Sequence, residues 1–197
     1  MNQKIKLLSL IIVSSLIISG CTSKSTIKPS QNMDLNTPTI PTAVVTQISS
    51  QTKENSIVSL KTKDGEILIK LYQDKAPKTV ANFIKKSDSG FYNNLTFHRV
   101  IPGFMAQGGD PLGNGTGGGS IDSEINNIPF VRGTIGLARG ANKAISNDSQ
   151  FFICFSTEGC QHLTSDYVNF GEVISGLDVL DKIVQGDKII SLTSKTK

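Results

Sequence analysis

The uneven distribution of aromatic residues and glycines most constrains how this chain can fold. All nine phenylalanines lie between Phe83 and Phe170, and all three tyrosines lie beyond residue 70. Short apolar runs alternate with glycines from residue 57 onward, whereas residues 22–55 contain neither glycine nor any aromatic residue. Because a packed core needs large apolar side chains, the 197-residue sequence predicts one folded domain over residues 56–197.

Many short strand-like runs and few helical patterns predict a mainly β domain. The runs 57–61 and 66–71 flank Asp64-Gly65, a dipeptide typical of hairpin turns. Further strand candidates are residues 96–101, 104–107, 133–138, 150–155 and 168–172. Helical patterns cover residues 76–86 and 177–184. This balance favours a closed barrel or a sandwich with helices as lids or plugs.

The first 20 residues have the anatomy of an export signal. Two lysines precede an apolar stretch over residues 7–18 that is too short to span a membrane. The residues before Cys21, Ile-Ser-Gly, resemble the lipobox of bacterial lipoproteins, in which the Cys receives a diacylglyceryl group. We therefore predict a lipoprotein signal peptide over residues 1–20 and lipidation of Cys21. The alternative is an ordinary signal peptide whose cleavage site happens to adjoin a Cys.

Residues 21–55, from the lipidated Cys onward, have the composition of a tether. This segment is rich in Ser and Thr and holds three of the seven prolines. It cannot bury enough apolar surface to offset its ordering entropy, so we predict that it is disordered. Together with the signal, it predicts an exported protein anchored to the membrane by lipid. The anchor would face outward from a bacterial cell membrane, or into the periplasm of a double-membraned cell.

Charge and histidine content exclude several function classes. The formal net charge is +4, and residues 56–197 hold 15 basic and 14 acidic residues, so no basic face for nucleic acid is expected. The only histidines, His98 and His162, are not spaced with Cys or carboxylates as metal ligands, and we predict no metal. Residues 113–118 fit G-x-G-x-x-G, but no βαβ unit surrounds them, so we interpret them as a flexible loop.

Three blocks of sequence carry the functional signal. They are FHRVIPGFMAQGGD over residues 97–110, SQFFIC over 149–154 and VNFGEV over 168–173. In composition, order and spacing they resemble the cyclophilin family of peptidyl-prolyl cis/trans isomerases, and the resemblance covers residues 56–190. It implies a closed eight-stranded antiparallel β-barrel capped by two α-helices.

The resemblance also implies which residues form the active site. The expected site residues are Arg99, Phe104, Met105, Gln107, Gln150, Phe152 and Leu163, with Ala138, Arg139 and Gly140 beside the bound peptide. Two positions depart from the pattern of many eukaryotic members. His162 replaces a Trp that contacts cyclosporin, and Tyr167 replaces a His but still offers a ring and a hydroxyl to the pocket.

Rotation about an X-Pro bond breaks no covalent bond, so it requires no cofactor, metal or nucleophile. The barrier of about 18–20 kcal/mol arises from resonance in the planar imide. We assign Arg99 to donate a hydrogen bond to the prolyl nitrogen as that atom becomes pyramidal. Gln107 would hold the flanking peptide groups, while four apolar side chains hold the proline ring. These four are Phe104, Met105, Phe152 and Leu163.

Two hypotheses follow from these residues. The first is an isomerase that acts on proline-containing segments of exported proteins, as a monomer. The second is a proline-directed binding module or holdase in which turnover is incidental. A pure binder has no use for a donor aimed at the prolyl nitrogen, so Arg99 together with Gln107 favours the enzyme.

Residues next to these site residues are interpreted as structural. Phe151 precedes Phe152 on a strand and therefore points to the opposite face, into the core. Phe97 and His98 are expected to be structural as well, with His98 hydrogen-bonded near the barrel wall. Cys154 is expected to be buried. A disulfide between Cys154 and Cys160 is possible outside the cytoplasm, but the sequence lends it little support.

Overall fold

The computed structural model describes residues 56–195. The signal peptide over residues 1–20, the lipidation site Cys21 and the tether over 21–55 lie outside the described residues. The strands are β1 Ile57–Thr62, β2 Gly65–Leu71, β3 Arg99–Ile101, β4 Met105–Gly108, β5 Ser120–Asp122, β6 Thr134–Leu137, β7 Ile145–Asn147, β8 Phe151–Cys154, β9 Asn169–Ser175 and β10 Ser191–Lys195. The helices are α1 Pro77–Asp88, α2 Thr157–Cys160 and α3 Leu177–Leu180, and residues Gln161–Leu163 form a 3₁₀ turn after α2.

Eight strands form one curled antiparallel sheet in the order β10-β1-β2-β9-β6-β8-β4-β3, and β5 pairs with β7. This confirms the predicted mainly β architecture and its eight-stranded antiparallel sheet. The expectation of full closure goes too far, since β10 and β3 are edge strands of this sheet. The two edge strands do not pair with each other. The segments just before them in the chain do, and the Phe97 N–H donates to the Asp187 carbonyl (2.8 Å).

Helix α1 and one face of the sheet enclose the main core. Pro77 begins the helix as the sequence predicts, because its fixed φ suits the first turn. The backbone N–H groups of Lys78 and Thr79 donate to the Glu124 carboxylate (3.0 and 2.8 Å), which satisfies two otherwise unpaired donors. The buried Phe83 ring lies 5.1–5.5 Å from the rings of three core aromatics, which are Tyr92, Phe151 and Phe170.

The remaining helical segments are short. The predicted helix over residues 177–184 is limited to the four residues of α3, and Val184 is exposed. Helix α2 was not predicted, because four residues that include Gly159 carry no helical pattern. It begins where the Ser156 hydroxyl accepts the Gly159 N–H (3.0 Å). Within residues 56–195 no helix has the length and apolarity needed to cross a bilayer.

We expect Phe83→Ala to lower the free energy of unfolding by about 3–5 kcal/mol, because it opens a cavity among three packed rings. Phe83→Leu retains most of the apolar volume and should cost clearly less. Urea unfolding followed by circular dichroism measures both values. Leu112→Ala, at a position that is 66% exposed, is the control and should change little. A loss below about 1 kcal/mol in Phe83→Ala would contradict this description of the core.

Candidate active site

The predicted site residues project from the face of the sheet that is turned away from the main core. Along β4, Ala106 points into the core while Met105 and Gln107 point to the opposite face. Gln107 pairs across strands with Arg99 of β3 and with Phe152 of β8. Because residues directly opposite in an antiparallel pair share a face, these side chains lie next to one another.

A cavity of about 330 Å³ opens among these side chains. Its lining consists of Arg99, Phe104, Met105, Gln107, Ala138, Arg139, Phe152, His162, Leu163 and Tyr167. Two predicted site residues do not line it: Gly140 is exposed, and Gln150 is buried one step behind Gln107. His162, noted in the sequence only as a departure from the pattern, belongs to the lining.

The polar side of the cavity is a connected series of hydrogen bonds. Arg99 Nη1 donates to Gln107 Oε1 (3.3 Å) and lies 3.9 Å from the Met105 sulfur. Gln107 Nε2 donates in turn to Gln150 Oε1 (2.9 Å). Gln150 Nε2 donates to the carbonyls of Gly115 (3.1 Å) and Gly117 (2.8 Å). Arg99 is thereby linked through two amides to the glycine-rich loop over residues 113–118.

Asp110 holds the other side of that loop, a role that the sequence reasoning missed. The buried carboxylate accepts the backbone N–H groups of Leu112, Asn114 and Gly115. Burial alone would raise the pKa of Asp110. The three N–H groups together outweigh this effect, so the pKa of Asp110 lies below its ordinary value. The available signal was its position, since an Asp a few residues before a glycine-rich segment is suited to accept backbone donors.

The apolar floor of the cavity depends on a second residue that the sequence did not reveal. Phe130 stacks on Phe152 with ring centres 5.7 Å apart and planes inclined by 20°. Gly136 lies against both rings, and a Cβ there would come within 2.6–2.7 Å of their atoms. Only glycine leaves the room that this stacked pair occupies. Phe130 lies outside every strand and helix, so periodicity gives no indication of its position.

The neighbouring residue His98 differs from expectation. Its ring nitrogens Nδ1 and Nε2 are buried without a hydrogen-bond partner among residues 56–195, so the predicted hydrogen bond is wrong. Burial lowers the pKa of His98, and the positive charge of Arg99 lowers it as well. The negative charge of Asp110 raises it, but the pKa remains below its ordinary value. His98 is therefore neutral at neutral pH. Phe97 and Phe151 are fully buried, as predicted.

Comparison with known proteins identifies the family. The family model described as cyclophilin type peptidyl-prolyl cis-trans isomerase/CLD matches residues 57–195. The chain belongs to this family. It is a peptidyl-prolyl cis-trans isomerase of the cyclophilin type, as the three sequence blocks predict.

Individual relatives agree with this assignment. A peptidyl-prolyl cis-trans isomerase of Synechococcus elongatus is 44% identical over 137 residues, which cover 68% of this chain and 92% of that protein. One from Helicobacter pylori is 43% identical over 145 residues, covering 71% and 86%. A cyclophilin-type isomerase of Cryptosporidium parvum, crystallised in the presence of the dipeptide Ala-Pro, has a TM-score of 0.66 and 32% identity, covering 72% of this chain and 99% of that one.

One wall of the cyclophilin cavity is held by a disulfide between Cys154 and Cys160, which the sequence analysis considered possible but little supported. Both residues are fully buried, and their Cα atoms are 6.1 Å apart. The pair forms because α2 folds back over the end of β8, a proximity that sequence spacing does not reveal. The disulfide links β8 to the start of the 3₁₀ turn that carries His162 and Leu163. The His162 ring lies 5.6 Å from the ring of Phe104.

A larger concavity of about 460 Å³ lies on the other side of the β3–β4 turn. It is lined by Val100, Pro102, Gly103, Phe155, Asp181, Ile183, Val184 and Gln185. Its one charged lining residue, Asp181, is already paired with Arg132 at 2.8 Å. This concavity offers no donor comparable to Arg99, so the smaller cavity is the candidate active site of this cyclophilin.

Asp110→Asn should lower the free energy of unfolding by about 1–3 kcal/mol at pH 7, because buried backbone donors lose their charged acceptor. The lowered pKa of Asp110 means that its stabilisation is present above the ordinary Asp pKa and is lost as pH falls through the folded value. The unmodified protein should therefore lose more stability than the variant below about pH 4. Urea unfolding from pH 7 to 2.5 measures this difference.

The control for this experiment is Asp178→Asn, which changes a largely exposed carboxylate. It should reproduce the acid response of the unmodified protein. The role of Asp110 would be contradicted if Asp110→Asn and the unmodified protein lost equal amounts of unfolding free energy between pH 7 and pH 2.5.

Proposed function

We propose that this isomerase accelerates X-Pro rotation through Arg99 and that its substrates are proline-containing segments of exported proteins. The observation that carries the proposal is the position of Arg99 at the rim of a cavity with an apolar floor, where Gln107 accepts one of its N–H groups at 3.3 Å. The guanidinium carries several further donors, which remain available to a bound peptide.

The electronic structure of the imide explains why a donor belongs at this point. As the bond twists, resonance is lost and the prolyl nitrogen gains a lone pair. A donor that is already in place stabilises this twisted state without reorganisation at the moment of rotation. Arg99 is suited to the role because a guanidinium stays protonated throughout the physiological pH range.

The size of the effect sets a limit on what Arg99 contributes. A hydrogen bond from a charged donor contributes about 1.5–3 kcal/mol, which corresponds to roughly a 10- to 150-fold change in rate. Any larger acceleration requires the cavity to bind the twisted peptide more tightly than the planar forms. The apolar lining by Met105, Phe152 and Leu163 is the part of the site that can grip the ring.

The segment Ala138–Gly140 is suited to hold the peptide on one side of the rotating bond. The backbone N–H of Ala138 donates to Gln150 and its carbonyl accepts from Asn147 (2.9 and 2.8 Å). The backbone N–H and carbonyl of Arg139 make no hydrogen bond with another of the described residues. They are available to an extended peptide, and the Ala-Pro dipeptide in the Cryptosporidium parvum crystals supports a proline-containing substrate. We also propose that the enzyme acts as a monomer, since the mechanism described above uses no residue beyond those of one chain.

The second candidate function is a proline-directed binding module or holdase with incidental turnover. The same apolar cavity would serve it, but the series of hydrogen bonds that presents Arg99 would have no purpose there. That series is the specific observation that favours the enzyme.

Arg99→Ala should lower kcat/KM for a short X-Pro peptide at least tenfold, with little change in peptide affinity, because a donor to the twisted state is lost. Arg99→Lys keeps the charge but loses the planar fork of donors, so its kcat/KM should lie between those of the unmodified protein and Arg99→Ala. The measurement is the cis-to-trans rate with the chain from Ser56 to Lys197. The 92% coverage of the cyanobacterial relative indicates that this part folds independently.

The matched control is Arg132→Ala, which removes an arginine outside the cavity. It should leave kcat/KM within about twofold, since among residues 56–195 the Arg132 side chain hydrogen-bonds Asp181 and two backbone carbonyls, none of which belongs to a residue that lines the cavity. Peptide binding without any acceleration by the unmodified protein would overturn the enzymatic role and leave the binding module.

We propose further that the enzyme is exported and attached to the membrane by lipid on Cys21. The sequence support is the signal over residues 1–20, the Ile-Ser-Gly-Cys motif and the Ser- and Thr-rich tether. Independent support comes from the Cys154–Cys160 disulfide, since such bonds persist in oxidising compartments and are rare in the cytosol.

In bacteria that express the full chain, the protein should partition into the membrane fraction and incorporate labelled fatty acid. Cys21→Ser should abolish both properties and leave isomerase activity unchanged. Cys160→Ser, which leaves Cys21 intact, is the control and should still be lipidated. A processed, soluble and unlipidated protein would show that the signal is an ordinary one, and retention of the leader in the cytosol would contradict export.

A further inference from the structure

The side chain of Arg139 is more deeply buried than its place beside the peptide segment suggests. It is only 9% exposed, although it carries a permanent charge. A buried guanidinium is costly unless hydrogen bonds and an opposite charge compensate it. Sequence reasoning placed Arg139 in the peptide-binding segment, which requires only its backbone and leaves this burial unexplained.

Four contacts account for the burial of the guanidinium. Nε donates to the Asp166 carbonyl (2.9 Å), Nη2 lies 3.3 Å from Asp166 Oδ2, and Nη1 donates to the Gly140 carbonyl (2.9 Å). The guanidinium carbon lies 4.3 Å from the centre of the Tyr167 ring, over its face. The planar group thus clasps the Asp166 backbone and covers Tyr167 at the same time.

Tyr167 also contacts the floor of the cavity. Its ring meets Phe152 edge to face, with centres 5.7 Å apart and planes inclined by 89°. Tyr167 is therefore positioned by Arg139 over its face and by Phe152 in an edge-to-face contact. Because Tyr167 lines the cavity, the orientation of its ring contributes to the shape of the pocket.

The turn that carries Tyr167 is not held by favourable local conformation alone. Ser165 has φ of 62°, in the left-handed region that non-glycine residues seldom occupy. The backbone N–H groups of Asp166 and Tyr167 both donate to the Leu163 carbonyl (3.0 and 3.1 Å). Such a conformation persists only where surrounding contacts determine it. Besides the two bonds to Leu163, Arg139 contacts both residues that follow Ser165, which are Asp166 and Tyr167.

We propose that Arg139 is a positioning residue, whose guanidinium sets the orientation of Tyr167 and thereby the fit of the proline-containing segment in the cavity. The inference rests on the proposed function in that it takes this cavity as the isomerase site. It separates two tasks between two arginines. Arg99 acts on the rotating bond, whereas Arg139 acts through Tyr167 on the shape of the pocket.

The test compares Arg139→Met, Tyr167→Leu and the double variant in the chain from Ser56 to Lys197, with an X-Pro peptide as probe. A stacked cation contributes about 0.5–2 kcal/mol, so Arg139→Met should raise KM and the peptide Kd roughly 2- to 30-fold. We expect kcat to change less than about twofold, because the donor Arg99 is untouched. The backbone groups of residue 139 remain in every variant, so the change reports on the side chain.

The decisive result is the double variant. If Arg139 acts through Tyr167, then Arg139→Met should have no further effect on KM or Kd in the Tyr167→Leu background. Arg139→Lys should fail to restore KM, because an ammonium reaches Asp166 without covering the ring. Lys143→Met is the matched control, since Lys143 is an exposed partner of Asp166, and it should leave KM unchanged.

Additive effects in the double variant, or an unchanged KM in Arg139→Met, would overturn the inference. Thermal unfolding identifies any variant that fails to fold, and Arg139→Gln, which keeps a hydrogen-bonding side chain, then replaces Arg139→Met. Failure of the proposed function is distinguishable. An unmodified protein that binds peptide without accelerating rotation would refute the role of Arg99, whereas the Kd values would still decide the role of Arg139.

Discussion

The alternation of side chains along β4 and β8 is the constraint on which the rest of the structure depends. Successive residues point to opposite faces, so Ala106, Phe151 and Ile153 enter the main core. Met105 and Phe152 thereby face the other way, into the second apolar cluster. A shift of register by one residue would exchange the two sets, bury polar site residues and expose core rings. Folding of the sheet and assembly of the site are therefore one event.

The site combines an apolar cavity with polar groups that are already in position. Gln107, Gln150 and the glycine loop connect Arg99 to the buried Asp110, and each link is a hydrogen bond. Such an arrangement favours catalysis by preorganisation, because the donor does not need to be oriented when the peptide twists. The disulfide and the Arg139 clasp have the same effect on the apolar wall.

Much of the fold followed from local pattern, and the failures have physical causes. The hairpin at Asp64-Gly65 and the helix that begins at Pro77 were predictable, since turn chemistry and periodicity are local properties. Strand β10 was missed because Ser-Leu-Thr-Ser-Lys holds one apolar residue, and it becomes a strand only by pairing with β1. The predicted helix over residues 177–184 is limited to the four residues of α3. A helix this short is not stable alone and depends on its packing against β2.

The sequence by itself determined the family, most of the residues around the cavity and the hypothesis of a lipid-anchored, exported enzyme, because short motifs carry the family resemblance and the export signal. Only the tertiary structure decided the roles of Asp110 and Phe130, the Cys154–Cys160 pairing and the burial of the Arg139 guanidinium against Tyr167. These features join residues between 2 and 28 positions apart through side-chain contacts that have no periodic signature. Their geometry arises from packing between elements, which no local pattern encodes.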